Sequence, residues 1–295
     1  MEGKNRGDYM ISFDFDYYKP DTIDEAIEIY KCLSLEGKTA IYYSGGTEII
    51  SQARIGKIRF DAAIDIKHIP ECNIHGFQDD KLFIGSAVTL TKISDYYLFP
   101  LLSEICKKAA DHTARNKITI GGNICGKVPY KEAILPFLLS DSYVVIAGVG
   151  GKKAVPITQI FGEEPQLGSK PRLNAGEFII QIITERDYTM LPYINIKKAK
   201  QGKVDYPLVT IASIEKDKQI RIAFSGICPF PFRSAEIEKD LNNDSVAPNE
   251  RINAIISHLT APIINDILGS SKYREFVLRN ALGEVLFKFR GENNA

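Results

Sequence analysis

Two glycine pairs constrain this chain more than any other feature. Ser44-Gly45-Gly46-Thr47-Glu48 follows directly on the apolar run Ala40-Ile41-Tyr42-Tyr43, and Thr119-Ile120-Gly121-Gly122-Asn123 stands about 75 residues later. Removing Cβ at two successive positions lets a backbone approach a ligand closely and adopt positive φ. Consecutive amides can then face one concavity and hold an anion such as a pyrophosphate. Thr47, Thr119 and Asn123 would add hydroxyl and amide donors for phosphate oxygens or for the hydroxyls of a polyol. One such pair is most often a tight turn; two of the same design favour phosphate binding. Neither matches the three spaced glycines of a Rossmann unit or the lysine-hydroxyl ending of a P-loop. A dinucleotide held here needs a different fold.

The rest of the chain divides around these two segments. Phe13 to Tyr18 reads as a short strand, followed by an amphipathic helix with Thr22 and Glu25 as its capping box and Gly37 as its stop. Residues 60–93 are strand-rich, a helix is expected from Leu101 to Ala110, and another from Lys131 to Leu139. A hairpin pairs Tyr143–Ala147 with Lys153–Ile157. The Gly- and Pro-rich stretch 162–176 is the candidate domain boundary. Beyond it come strands at Phe178–Thr184, Tyr193–Lys197, Leu208–Glu215 and Ile220–Ser225, with Asp217-Lys218 as a tight turn. Helices at 234–241, 249–258 and 271–288 complete the chain. Strands followed by helices indicate an α+β fold. The expected division is 1–170, with subdomains of about 1–66 and 67–170, and a smaller domain over 171–295.

Composition excludes several function classes. Lys+Arg and Asp+Glu both number 37, so no basic balance points to nucleic acid. No apolar run approaches the roughly 20 residues of a membrane span, and Met1 to Asp8 lacks the apolar core of a signal peptide. A cytoplasmic location is expected. The five cysteines (Cys32, Cys72, Cys106, Cys125, Cys228) and four histidines show neither C-x-x-C nor metal-ligand spacing. No metal site and no catalytic Ser/His/Asp, Cys/His or paired-carboxylate set stands out, so redox chemistry would rest on a bound organic cofactor.

Over nearly its full length the chain resembles the FAD-binding medium subunits of molybdenum hydroxylases, the xanthine dehydrogenase and carbon monoxide dehydrogenase flavoproteins. The resemblance runs from Phe15-x-x-Tyr18-x-Pro20 through Gly45-Gly46-Thr47-Glu48, Ile64-Asp65-Ile66, Ile84-Gly85 and Arg115-Asn116. It continues through Thr119-Ile120-Gly121-Gly122-Asn123, its most specific element, to Gly176-Glu177 and a helix with Tyr273-Arg274. It implies a two-part FAD-binding domain of the vanillyl-alcohol oxidase (PCMH) type, followed by a smaller C-terminal flavoprotein domain. It also implies that Tyr42, Tyr43, Ser44, Gly45, Gly46, Thr47, Glu48 and Ile49 surround the FAD pyrophosphate and ribityl chain, with Thr119, Gly122 and Asn123 opposite. Glu132 stands where the family has an Asp near the polyol. Ile179 or Ile180 matches an apolar residue by the isoalloxazine, and Lys197 matches a lysine near the ring. The segment Val128-Pro129-Tyr130-Lys131-Glu132 and the stretch from Lys198 to Pro207 both depart from the family's usual form.

The resemblance further implies an electron-transfer subunit, active only with partners. A small subunit would carry 2Fe–2S clusters and a large one molybdopterin, in a heterotrimer or its dimer, and NAD+ or oxygen would accept the electrons. Two alternatives stand beside it. One is a self-sufficient FAD-dependent oxidoreductase of the same fold; such oxidases often tether FAD through a histidine beside the first glycine segment, and residues 40–50 contain none, which favours non-covalent FAD. The other is a flavin-less assembly or interaction subunit, which the intact glycine segments disfavour.

Overall fold

The computed structural model describes residues 11–127, 130–161, 171–200 and 206–291. Met1 to Asp8, Val128-Pro129, most of the candidate boundary stretch (162–170) and Gln201 to Asp205 lie outside the described residues.

Among the described residues the strands form three sheets, and helices pack against them. The first is parallel, with β1 (Asp16–Tyr18), β2 (Ala40–Tyr43) and β3 (Ala62–Asp65) in the order β1-β3-β2. Parallel neighbours need crossover connections, here the helices Ile23–Leu35 and Thr47–Arg54. Thr22 caps the first of these by accepting from the Glu25 amide, while the Glu25 carboxylate accepts from the Asp21 amide at 2.9 Å. The capping box thus closes one residue earlier than its usual form.

The middle sheet is antiparallel. Its strands β4 (His75–Gln78), β5 (Lys81–Gly85), β6 (Tyr143–Gly148), β7 (Gly151–Pro156) and β8 (Phe178–Glu185) run in the order β4-β5-β8-β6-β7. Strand β8 was expected to open the second domain, beyond a boundary at 170. Instead it lies between β5 and β6 as the central strand of this sheet, so the sheet continues to Glu185. The sequence signal of a Gly/Pro-rich stretch marked a connection within the sheet, because such a stretch reports a break in regular structure and not which sheet the next strand joins.

Pairing of β6 with β8 shifts register between Val145 and Ile146, leaving Ile180 as the extra residue between Ile179 and Gln181. A bulge of this kind re-aims side chains. Phe178 and Ile180 consequently pack towards the first layer, with Ala62, Ile64 and Ala147, whereas Ile179 and Ile182 pack into the large central core.

The third sheet contains β9 (Tyr193–Ala199), β10 (Pro207–Lys216), β11 (Gln219–Ser225) and β12 (Phe232–Arg233) in the order β12-β11-β10-β9. One face packs on the helices Ala235–Leu241, Pro248–Ser257 and Ser271–Arg290, and the other places Ala212, Ile214 and Ala223 in the central core. Coverage on both faces leaves every residue from Pro207 to Ile214 buried, without inside-outside alternation. Asp217 and Lys218, with φ of 52° and 62°, form the expected tight turn, whose two left-handed residues match strand twist.

Fully buried Arg274 pins the last helix across this layer, donating to the Leu208 carbonyl at 2.6 Å, the Gly226 carbonyl at 2.8 Å and Asp266 at 2.7 Å. Polar joints lock the middle and third layers together. Tyr193 donates to Glu104 at 2.6 Å, and Asp141 accepts from Arg221 at 2.5 Å and Arg233 at 2.6 Å. Among the described residues, no helix is long and apolar enough to cross a membrane.

Candidate functional site

The first glycine segment leaves β2 and turns immediately into the helix Thr47–Arg54. Its entry is held from below. Buried Asp65 accepts from Lys67 Nζ at 2.6 Å, and the same ammonium donates to the Ser44 carbonyl at 3.0 Å and sits 4.5 Å from the Tyr43 ring centroid. Tyr17 also donates to Asp65, and burial together with this carboxylate pushes the phenol up to about 12. Gly46 has φ of 71° and its Cα faces the Tyr43 ring, so this position needs glycine twice over, for its backbone angle and for space.

The helix leaving this turn starts uncapped. Gly46 offers no side chain to the first turn, and the amides of Thr47, Glu48 and Ile49 have no acceptor among the described residues. Three amides pointing out of a helix N-terminus are suited to an anion.

The second glycine segment has a different design. It was expected to be a loop with free amides, and it is the start of a short helix, Ile120–Cys125, capped by Thr119. Every amide of its first turn is taken. Ile120 donates to the Val88 carbonyl at 2.9 Å, Gly121 to the Ser86 carbonyl at 2.9 Å, Gly122 to Thr119 Oγ1 at 3.2 Å and Asn123 to the Thr119 carbonyl at 2.8 Å. Neither Gly121 nor Gly122 has positive φ. Gly121 exists for packing, since a Cβ would lie 2.6 Å from the Ser86 Cβ, whereas Gly122 is exposed and presents bare backbone. Ser86 in turn donates its amide to the bulged Ile180 carbonyl at 2.8 Å, so the bulge seats this segment.

The two segments touch. A Cβ on Gly45 would collide with the Lys117 carbonyl, two residues before Thr119. Glu48 accepts from the Lys127 amide at 2.8 and 3.1 Å, just past the end of the second helix, and lies where a Cβ on Gly126 would go. Its carboxylate is therefore a strut between the segments, whereas the resemblance had it beside the cofactor. Ser44 Oγ and Asn123 Oδ1 are buried atoms without a hydrogen-bond partner among the described residues. An unsatisfied buried polar group costs about 1–3 kcal/mol, a cost that a polar ligand between the segments would remove. The donors, the orphaned atoms and the bare glycine backbone fit a dinucleotide such as FAD.

A cavity of about 900 Å³ opens nearby, between the middle and third layers, within the size range of small-molecule sites. Its walls are Lys107, Lys108, Ala110 and Arg115 on one side and Lys197, Lys198, Ala199 and Leu208 on the other. The last helix contributes Tyr273, Val277, Asn280 and Glu284 at helical spacing. Lys198 pairs with Glu284 at 2.5 Å; Lys107, Lys108 and Arg115 have no carboxylate partner among the described residues. Lys197 is bound at 2.9 Å to Glu132, whose other oxygen accepts from Thr210 at 2.7 Å. The two residues expected to face the polyol and the ring thus meet each other.

The family model for the FAD binding domain in molybdopterin dehydrogenase matches residues 13–184. The chain belongs to this family. It is an FAD-binding medium subunit of the molybdenum hydroxylase type, and so a subunit of an oxidoreductase. A putative xanthine dehydrogenase FAD-binding subunit of Escherichia coli K12 is 30% identical over 243 residues, covering 78% of this chain and 80% of its own. The glyceraldehyde dehydrogenase medium chain of Sulfolobus acidocaldarius is 25% identical over 285 residues, 90% of this chain and 95% of its own. In fold, the chain matches a carbon monoxide dehydrogenase of Hydrogenophaga pseudoflava with a TM-score of 0.81 at 22% identity, covering 92% of this chain and 96% of that one. The α+β architecture with a PCMH-type FAD domain is that of the family.

Within that frame the expected site residues separate into groups. Ser44, Gly45, Gly46 and Thr47 lie on the first segment, and Gly122 and Asn123 on the second, which it touches at Gly45 and Glu48; the Ile49 side chain packs with Ala53, Phe60 and Ala63. Thr119 is buried, and its oxygen caps Gly122. Tyr42 belongs to the core, its ring 5.6 Å from Tyr30 and 4.3 Å from Phe178 and its hydroxyl bonded to the Gly176 carbonyl at 3.1 Å. Tyr43 supports Gly46 from beneath. Ile180 faces the first layer and Ile179 the central core, both with almost no exposed surface. Sequence reasoning missed Lys67 and most of the cavity walls, Lys197 being the wall residue it had singled out. The face Tyr273, Val277, Asn280 and Glu284 was the available signal, hidden because a mixed apolar-polar stripe resembles an ordinary helix boundary. Among the described residues, no group of His, Cys, Asp and Glu could hold a metal ion.

Proposed function

We propose that the chain binds FAD non-covalently through the Thr47, Glu48 and Ile49 amides. In this reading it links an iron–sulfur partner to a soluble acceptor. The observation that carries it is the uncapped helix start, together with the orphaned Ser44 and Asn123 atoms on the two touching segments. The amides hold the pyrophosphate, Gly122 lets backbone approach the polyol, and the cavity beside Lys197 takes the ring. Bound FAD supplies the ability to accept electrons singly and to release them as a hydride. The chain's own groups orient the cofactor, screen it with the third layer and set the charge around it.

Partners in this reading are a small subunit with 2Fe–2S clusters and a large molybdopterin subunit, in a heterotrimer or its dimer in the cytoplasm. The names of the relatives, medium chains and FAD-binding subunits, support this division. Lys107, Lys108 and Arg115 at the cavity favour an acceptor that bears phosphates, NAD+, over oxygen. An absorption spectrum followed by acid precipitation tests the core of the reading. Yellow colour should appear and stay in the supernatant. A colourless chain that takes up no FAD refutes it, and flavin in the pellet refutes the non-covalent attachment. Turnover of an organic substrate by the chain alone would favour a self-sufficient flavoenzyme.

A further inference from the structure

Glu132 sits on a short turn of helix in the middle layer, while Lys197 and Thr210 are directly opposed cross-strand partners on β9 and β10. Opposed residues share a sheet face, so both side chains reach the same carboxylate. Each Glu132 oxygen is taken, Oε1 by the Thr210 hydroxyl at 2.7 Å and Oε2 by Lys197 at 2.9 Å. The Lys197 ammonium gives a second hydrogen to the Lys108 carbonyl at 2.9 Å, which leaves one of its three for an occupant of the cavity it lines. Both side chains are 8% exposed, so neither charge is screened well by water.

We propose that Glu132 is a positioning residue for Lys197: it clamps the ammonium between the middle and third layers and sets the net charge that the flavin ring meets. This rests on the FAD reading above. The clamp depends on the length of the side chain. A carboxylate shorter by one C–C bond, about 1.5 Å, would from this backbone lose hydrogen-bond contact with Lys197 or Thr210. Removing the carboxylate charge leaves an uncompensated buried cation; removing the lysine leaves an uncompensated buried anion.

The test measures the reduction potential of bound FAD and the melting temperature of the apo-protein for Glu132→Gln, Lys197→Met, the double variant and Glu132→Asp. Glu132→Gln should shift the potential to more positive values, because the unpaired ammonium favours the reduced, more negative cofactor. Lys197→Met should shift it the other way, and the double variant should return close to wild type. In the apo-protein each single change should lower the melting temperature and the double variant should recover part of the loss. Glu132→Asp keeps the charge and should still lower the melting temperature. If Glu132→Gln weakens FAD binding equally with and without Lys197, Glu132 is a direct ligand and the proposal fails. Lowered melting temperatures with an unmoved potential would make the pair structural only, which also overturns it. A wild-type chain that binds no FAD sinks the functional reading, whereas FAD binding with these patterns absent sinks the clamp alone.

Discussion

Replacing Gly45 by alanine puts a single methyl group between the two glycine segments. An ideal Cβ there meets the Lys117 carbonyl oxygen well inside contact distance, with the carbonyl carbon at 3.0 Å and the Thr119 amide nitrogen at 3.2 Å. All three are backbone atoms, so no rotamer change relieves the clash and the segments must move apart. Overpacking of this kind costs about 1–3 kcal/mol. At about 1.4 kcal/mol per tenfold, a cost borne wholly by the ligand-competent arrangement would weaken FAD binding about 5- to 150-fold. Gly150→Ala is the control. Its φ is not left-handed, it is exposed, and its Cβ would meet nothing within 4 Å. Titrating each apo-variant with FAD by flavin fluorescence, with a thermal melt to confirm folding, gives the comparison. Gly45→Ala should bind distinctly more weakly than Gly150→Ala. If a folded Gly45→Ala variant binds FAD like wild type, contact between the segments does not shape the site.

Glu48→Gln keeps the acceptor for the Lys127 amide but loses its charge, so it should weaken FAD binding by about 1 kcal/mol, seen in the same titration; an unchanged affinity would remove the strut role. Tyr42→Phe should cost about 1 kcal/mol of stability in denaturant melts by deleting the bond to Gly176, with FAD affinity unchanged. A large affinity loss would return Tyr42 to the cofactor. His75 is held neutral, its pKa lowered from 6.5 to about 4 by burial and then by Lys92. Protonation is thus easier in the unfolded chain, and the stabilising effect of its neutrality, complete above pH 6.5, is lost as pH falls towards 4. His75→Phe should flatten that acid limb in melts across this range, and an unaltered slope would show that other groups control it.

How much could be read from residues alone differs from element to element. Helical spacing from Ile23 to Leu33 and the Thr22 cap are local, and the helix lies where they indicate. The same holds for the Asp217-Lys218 turn, whose geometry depends on neighbours in sequence. The two glycine pairs also announced their importance locally, by removing Cβ where chain must pass close to something. What they pass close to was not local. Gly45 makes room for the Lys117 carbonyl, Gly121 for Ser86, and of the two segments the first alone leaves amides without a partner among the described residues, at the helix start Thr47.

Placement of β8 shows the same limit on a larger scale. Its apolar run identifies a strand, but membership of the middle sheet depends on β5 and β6, which lie about 100 and 35 residues earlier. Glu132, Lys197 and Thr210 were likewise visible as residue types, and only packing of the middle on the third layer brought them together. Sequence by itself therefore determined the elements, the glycine segments and the family, because periodicity, capping and backbone permissiveness act over a few residues. Tertiary structure alone decided which amides remain free, which charges are paired and where the cavity opens. Hydrogen bonds and burial are shared between distant segments, and a group engaged by one partner is no longer available to a ligand.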